Sequence, residues 1–167
     1  MIISLIAAVA KNAVIGVKGD LPWDLPRDLK FFSTTTRGHY VIMGRKNYDS
    51  IPDKYRPLPN RPNIVITRNA EFFDSNIDIF TSINDAIDFA KDQGEEELFI
   101  IGGGEIYSQT IEIANKLYIT HVDAEFEGDT HFPSFDPKKW TKELVLEQEP
   151  DSVHNYAFKT YIYSRID

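Results

Sequence analysis

Two rhythms of apolar residues run along this chain. Residues 1–10 are almost continuously apolar and of strand length, which suits a central strand covered on both faces. Residues 40–43, 63–67, 77–80 and 98–101 read as further short strands. Between them the helical period predicts a helix from Pro26 to about Thr36, and a second over Ile83–Asp92 with Ile83, Ala86, Ile87 and Ala90 inward and Thr81 or Ser82 as its cap. A third is expected over residues 105–114. Strands alternating with helices imply an α/β fold with a mostly parallel sheet flanked by helices. From Lys116 onward period two takes over. Residues 117–122, 141–149 and 157–165 have no helix between the last two, so they are expected to pair antiparallel at the end of a mixed sheet. A length of 167 residues fits one domain, 1–167.

The first helix carries a carboxylate in an unexpected place. Leu25, Leu29 and Phe32 form a stripe at spacings of four and three, and Asp28 shares it. A carboxylate at a core-facing edge must be paired, protonated or functional, because burying it alone is expensive. The plain alternative is a solvated acid answering the helix dipole from the first turn. Trp23 upstream and Phe31 and Phe32 downstream favour the functional reading, since flat aromatic walls around one polar group suit a pocket for a flat, polar heterocycle.

Composition narrows the field. There is no cysteine, which removes disulfides, thiolate metal sites and cysteine nucleophiles. The apolar runs are too short to span a membrane and no charged segment precedes the first, so a cytoplasmic protein without membrane attachment is expected. A net charge of -8 argues against nucleic acid as a partner. That charge is uneven: residues 1–68 carry 11 Lys and Arg against 5 Asp and Glu, residues 69–167 carry 7 against 21. A basic first half suggests a small anionic ligand there.

Three strand ends carry chemistry-bearing residues. Gly44 closes one strand and opens a helix with Arg45 and Lys46, Thr67 and Arg68 end another, and Gly102, Gly103 and Gly104 follow a third. Ligands gather at such carboxyl ends in open α/β sheets. The glycine triplet lacks the spacing of the dinucleotide fingerprint, but three consecutive glycines fit a backbone that a phosphate approaches closely. Residues 11–23 make a long connection of the kind that often serves as a lid. Four prolines at positions 52, 57, 59 and 62 predict a rigid connection holding Arg56 and Arg61. Glu95, Glu96 and Glu97 read as a solvated charge run, and the four histidines, without metal-ligand spacing, as structural or surface residues.

Together the motifs make the chain resemble the dihydrofolate reductases, of bacterial type, over essentially its whole length. The carrying stretches are residues 21–28, 41–45, 56–61, 100–104 with Tyr107, and Thr120 with 127–133. The resemblance implies NADPH-dependent reduction of 7,8-dihydrofolate to 5,6,7,8-tetrahydrofolate, by an enzyme expected to be a monomer. It makes Asp28, Trp23 and Thr120 the catalytic group, with Asp28 and Thr120 on the pterin's amidine edge and Trp23 holding an ordered water. Ile6, Ala8, Phe32, Leu58 and Ile101 would line the substrate, and Arg61 would take the α-carboxylate of its glutamyl tail. The cofactor would meet Ala8, Ile15, Gly16, Leu21, Gly44, Arg45, Lys46, Asn47, Thr67, Arg68, Ile101, Gly102, Gly103, Gly104, Glu105, Ile106 and Tyr107. Arg45 and Arg68 would pair with its 2′-phosphate, and the Gly102–Gly103 peptide would be cis. Residues 11–23 would close over the nicotinamide, with Asp129 accepting a backbone N–H near Gly16. No metal is implied. Asn47, Tyr48 and Glu105 depart from the family's usual Thr, aromatic Trp or Phe, and cation. Two rival readings remain: the pyrimidine reductase of riboflavin synthesis, which resembles this fold, and a non-catalytic nucleotide-binding module.

Overall fold

The computed structural model describes residues 1–16 and 21–166. In chain order its strands are β1 (Ile2–Ala10), β2 (Val14–Gly16), β3 (Val41–Gly44), β4 (Asn63–Ile66), β5 (Asp78–Phe80), β6 (Glu97–Ile100), β7 (Lys116–Val122), β8 (Thr130–His131), β9 (Trp140–Gln148) and β10 (Phe158–Arg165). The helices are α1 (Pro26–Thr36), α2 (Arg45–Ser50), α3 (Ile83–Asp92) and α4 (Gly104–Thr110). Among the described residues one eight-stranded sheet runs β5-β4-β3-β6-β1-β7-β10-β9. β5 through β7 pair parallel and β10 pairs antiparallel with both β7 and β9, so the sheet is mixed as expected. β2 and β8 form a separate small antiparallel ribbon.

Alternation along β1 sorts the two faces of the sheet. Leu5 and Val9 enter one cluster with Ile42, Ile64, Leu117, Ile119 and the inward residues of α3 and α4. Ile6 enters a second with Val41, Met43, Val65, Phe99 and Tyr118, against which Phe31, Phe32, Leu58 and Ile101 pack. Successive strand side chains point to opposite faces, so Ile6, Ala8, Tyr118 and Thr120 share the face that α1 covers. α3 follows the sequence closely: Ser82 accepts from the Asp85 N–H, and Ile83, Ala86, Ile87 and Ala90 are all buried.

Several expectations need correction. Leu29 is 53% exposed, while Leu25 and Asp28 face inward, because the stripe continues past Asp28 toward Thr36 rather than through Leu29. α4 is shorter than residues 105–114, its last turn tightening into a 3-10 turn over Ile111–Ile113. The triplet Glu95 to Glu97 is not simply solvated. Glu95 accepts from the Tyr40 N–H at 2.6 Å and meets the His39 ring at 2.9 Å, and Glu97 accepts from Ser4 and Tyr118 hydroxyls at 2.7 and 2.8 Å. These carboxylates stand where neighbouring strands begin and main-chain N–H groups need acceptors. Burial pushes the Glu95 carboxyl up, but the Tyr40 N–H and the His39 ring outweigh it and hold the group below the usual range.

Candidate functional site

α1 begins where the sequence indicates: Pro26 occupies the first turn, where its missing N–H costs nothing. The helix lays Asp28 against β7, where the Thr120 hydroxyl donates to Asp28 Oδ1 at 2.7 Å. Thr160, directly opposite Thr120 in the β7–β10 register, lies 2.7 Å from the Thr120 hydroxyl. Thr120 spends its one proton on the carboxylate, so Thr160 must be the donor in that second bond. The chain Thr160 to Thr120 to Asp28 therefore aims two buried hydroxyls at one acid. Burial raises the Asp28 pKa above its ordinary 3.8, and the Thr120 hydrogen bond only partly opposes this. Among the described residues Oδ2 of Asp28 has no side-chain or main-chain donor, so it can accept from a ligand.

Walls form on both sides of this acid. Ile6, Phe32, Leu58 and Ile101 belong to one apolar cluster. Ala8 and Trp23 belong to another, in which the Trp23 ring tilts against Phe126 at 5.4 Å. Trp23 Nε1 is buried and has no protein acceptor among the described residues. Arg61 is only 9% exposed, donating to the Pro59 carbonyl and the Thr36 hydroxyl at 2.9 Å each. Burial first, then the like charge of Arg37, lowers its pKa, and no carboxylate pairs with it among the described residues. A fixed guanidinium without an acid beside it suits an anionic ligand group.

The sheet order makes neighbours of the other marked strand ends. β4, β3 and β6 are consecutive, so Thr67 with Arg68, Gly44 with Arg45, and the glycine triplet lie side by side. Gly44 donates to the Gly102 carbonyl at 2.8 Å, and Asn47 reaches the Ile101 carbonyl at 3.2 Å. The Gly102–Gly103 peptide is cis. Gly102 has φ +111°, and a Cβ there would press on the Tyr107 ring at 3.0 Å. A Cβ on Gly104 would meet Thr130 at 2.7 Å, whereas one on Gly103 would meet nothing within 4 Å. The triplet thus packs closely on two sides and leaves open space over its middle. Such a bare peptide floor, with arginines at its rim, fits a phosphorylated dinucleotide. Tyr107 is buried and donates to the Ile6 carbonyl at 2.6 Å, bracing β1 against the glycine turn; Ile106 is buried beside Gly44. Ile15 is buried, Gly16 half-buried, and Leu21 and Lys46 exposed.

Both rim arginines already have acidic neighbours. Arg45 meets Asp49 at 2.9 Å and stacks on Phe72 at 3.6 Å. Arg68 pairs with Glu105, both exposed. The lid expectation is only partly visible: β2 anchors its start, but residues 17–20 of the 11–23 connection lie outside the described residues. At Gly16 the Asp129 main-chain N–H donates to the Gly16 carbonyl at 3.2 Å, while the N–H groups of residues 17–20, from which the Asp129 carboxylate is expected to accept, lie outside the described residues. Sequence reasoning missed Thr160, because its role depends on the β7–β10 register, which no local pattern states. Its one signal was a threonine inside a period-two strand.

Fold and site together give an α/β protein with one half-buried carboxylate among apolar and aromatic side chains, and a bare glycine turn next to two strand ends that carry arginines. The dihydrofolate reductase family model matches residues 2–165. The dihydrofolate reductase of Bacillus subtilis (strain 168) is 40% identical over 98% of this chain and 94% of its own. Dihydrofolate reductase type 3 of Salmonella typhimurium is 40% identical over 99% of each. Among solved structures, dihydrofolate reductase from Enterococcus faecalis complexed with NADP(H) and RAB-propyl superposes with a TM-score of 0.90 at 34% identity, covering 99% of this chain and 97% of that one. The chain belongs to the dihydrofolate reductase family.

Proposed function

We propose that, in the NADPH-dependent reduction of 7,8-dihydrofolate to 5,6,7,8-tetrahydrofolate that family membership carries, Asp28 is the group that holds and polarises the pterin. The observation behind this is the carboxylate itself, half-buried and backed by two hydroxyls, with Oδ2 left without a donor among the described residues. An amidine edge offers two N–H donors that a carboxylate meets in parallel. Asp28 is the ionisable side chain on this side of the cleft, so its charge favours a proton on the bound heterocycle. Thr120 keeps Oδ1 oriented, and the Trp23 indole N–H is a donor for an ordered water beside it. NADPH supplies the hydride; the protein supplies orientation, electrostatics and exclusion of water. Arg45, Arg68 and Thr67 would receive the 2′-phosphate, the glycine triplet the pyrophosphate and nicotinamide, and Arg61 the glutamyl α-carboxylate.

No described helix is long and apolar enough to cross a membrane. We infer further that residues 1–167 act as one domain, as a monomer in the cytoplasm, with no nucleic-acid partner. The test mixes the purified protein with NADPH and dihydrofolate and follows cofactor oxidation and tetrahydrofolate formation. Oxidation with dihydrofolate, but not with a ribosylated aminopyrimidine, is the expected result. Oxidation only with the pyrimidine would transfer the chain to the riboflavin pathway's reductase, and no oxidation with either would make it a binding module.

A further inference from the structure

The first turn of α1 leaves an account that closes only through a distant residue. A helix start exposes main-chain N–H groups that need acceptors. Pro26 has none, and the Asp28 and Leu29 N–H groups both return to the Leu25 carbonyl, at 3.0 and 3.1 Å. Leu25 stands at the cap position and makes no side-chain cap. What remains is the N–H of Arg27, which donates at 3.1 Å to Nε2 of His154, from the turn between β9 and β10. His154 is 5% exposed. Because Nε2 accepts, the ring proton sits on Nδ1, which donates to Asp151 Oδ1 at 2.9 Å. Asp151 also accepts from the Val153 and His154 N–H groups, so the tautomer is fixed by a carboxylate that the turn itself holds in place. The Arg27 guanidinium adds bonds to the Glu147 carbonyl and Gln148 at 2.8 and 2.9 Å. The imidazole also leans on Phe158, which packs in the cluster containing Trp23 and Leu25.

We propose that His154 is a positioning residue for substrate binding: as the remote acceptor cap of α1, it sets where Asp28 meets the pterin. Arg27 immediately precedes Asp28, so a first turn that shifts to find another acceptor carries the carboxylate with it. A displacement well under the length of a hydrogen bond weakens a paired amidine contact. The effect falls on dihydrofolate and spares the cofactor, whose arginines and glycines belong to other strand ends. The inference rests on the reading of Asp28 as the pterin anchor.

Three variants test it: Asp28→Asn, His154→Leu and His154→Gln, the last able to place an amide oxygen about where Nε2 stands. His154→Leu is expected to raise the dihydrofolate KM about three- to tenfold, the range for losing a hydrogen-bond partner, with little change in the Kd for NADP⁺ and with faster hydrogen exchange at the Arg27 amide. His154→Gln is expected to stay within about twofold of the parent by the same measure. If Asp28→Asn retains parental kcat/KM, the reading of the site fails. If Asp28→Asn is impaired but His154→Leu keeps the parental KM while its Arg27 amide exchanges faster, the cap exists and does not position the acid. Equal losses in both His154 variants, affecting dihydrofolate and NADP⁺ alike, make His154 merely structural and overturn the proposal. Should His154→Leu not fold, His154→Gln decides alone: a KM raised beyond twofold at unchanged Arg27 exchange overturns it.

Discussion

At Asp28, proposed to meet the pterin, a half-buried carboxylate has Thr120 and Thr160 fixed behind it, whereas at the strand ends proposed to meet the phosphates Arg45 is partly and Arg68 largely exposed, with Asp49 and Glu105 beside them. The first arrangement holds its geometry before a ligand arrives. The second would exchange a carboxylate for a phosphate if the cofactor binds as proposed. Burial makes the Asp28 charge costly and its contacts strong, because the surrounding dielectric is low. Exposure makes the Arg68–Glu105 pair weak, since solvent screens it and long side chains must be ordered to form it; the partly exposed Arg45–Asp49 pair is weakened less. On the proposed reading, the rigid electrostatics would serve the chemistry and the exchangeable ones the recognition of the cofactor.

The largest expected effect breaks the rigid side. Asp28→Asn keeps the shape of the contact and removes its charge, and should lower kcat/KM at pH 7 by about 10² to 10⁴, recovering in part as pH falls and dihydrofolate protonates in solution. The same change should raise Tm at neutral pH. The sign follows from burial: a carboxyl with a raised folded pKa contributes stability below its unfolded value of 3.8, and that contribution is lost as pH rises through the folded value. Removing the ionised acid removes the loss. A variant within a few-fold of the parent at pH 7 and no more stable would return Asp28 to the solvated helix-dipole role.

Next in size is the phosphate side. Neutralising Arg45 and Arg68 together should weaken NADPH binding about tenfold to a hundredfold, the scale of charged hydrogen bonds, and leave NADH nearly untouched. Equal losses with the two cofactors, measured as Kd by fluorescence titration, would make the arginines structural. Thr160→Val is a smaller test of the buried chain, leaving Thr120 without its donor. It should lower kcat/KM about two- to tenfold while NADPH affinity holds. A parental kcat/KM would mean that Thr120 orients Asp28 unaided. The smallest effect is a gain: Glu105→Gln frees Arg68 and should tighten NADPH binding by no more than about fivefold, as expected for an exposed pair, with NADH unchanged. Looser binding of NADPH would show that Glu105 holds Arg68 in a useful position.

Much of the frame was legible because its causes are local. Pro26 starts α1, Ser82 caps α3, and the apolar periods of β1, β3, β4 and β6 mark strands that their neighbours cover on both faces. The glycine triplet and the arginines after Gly44 and Thr67 could be assigned to strand ends for the same reason. Exposure within those elements was less legible: Leu29 fits the helical stripe yet lies in solvent, and Glu95 and Glu97 look solvated yet accept bonds from neighbouring strands.

What the sequence determined by itself is most of the elements, the inward face of α3 and the acid of the first helix, all of them consequences of residue type and spacing within one segment. Tertiary structure alone decided the partners. Thr160 reaches Thr120 because β10 pairs with β7 in one register, His154 reaches Arg27 because a distant turn folds over the start of α1, and Glu105 reaches Arg68 because β4 and β6 flank β3. Each of these contacts joins residues far apart in the chain, and periodicity within a segment has no means of encoding which segments will meet.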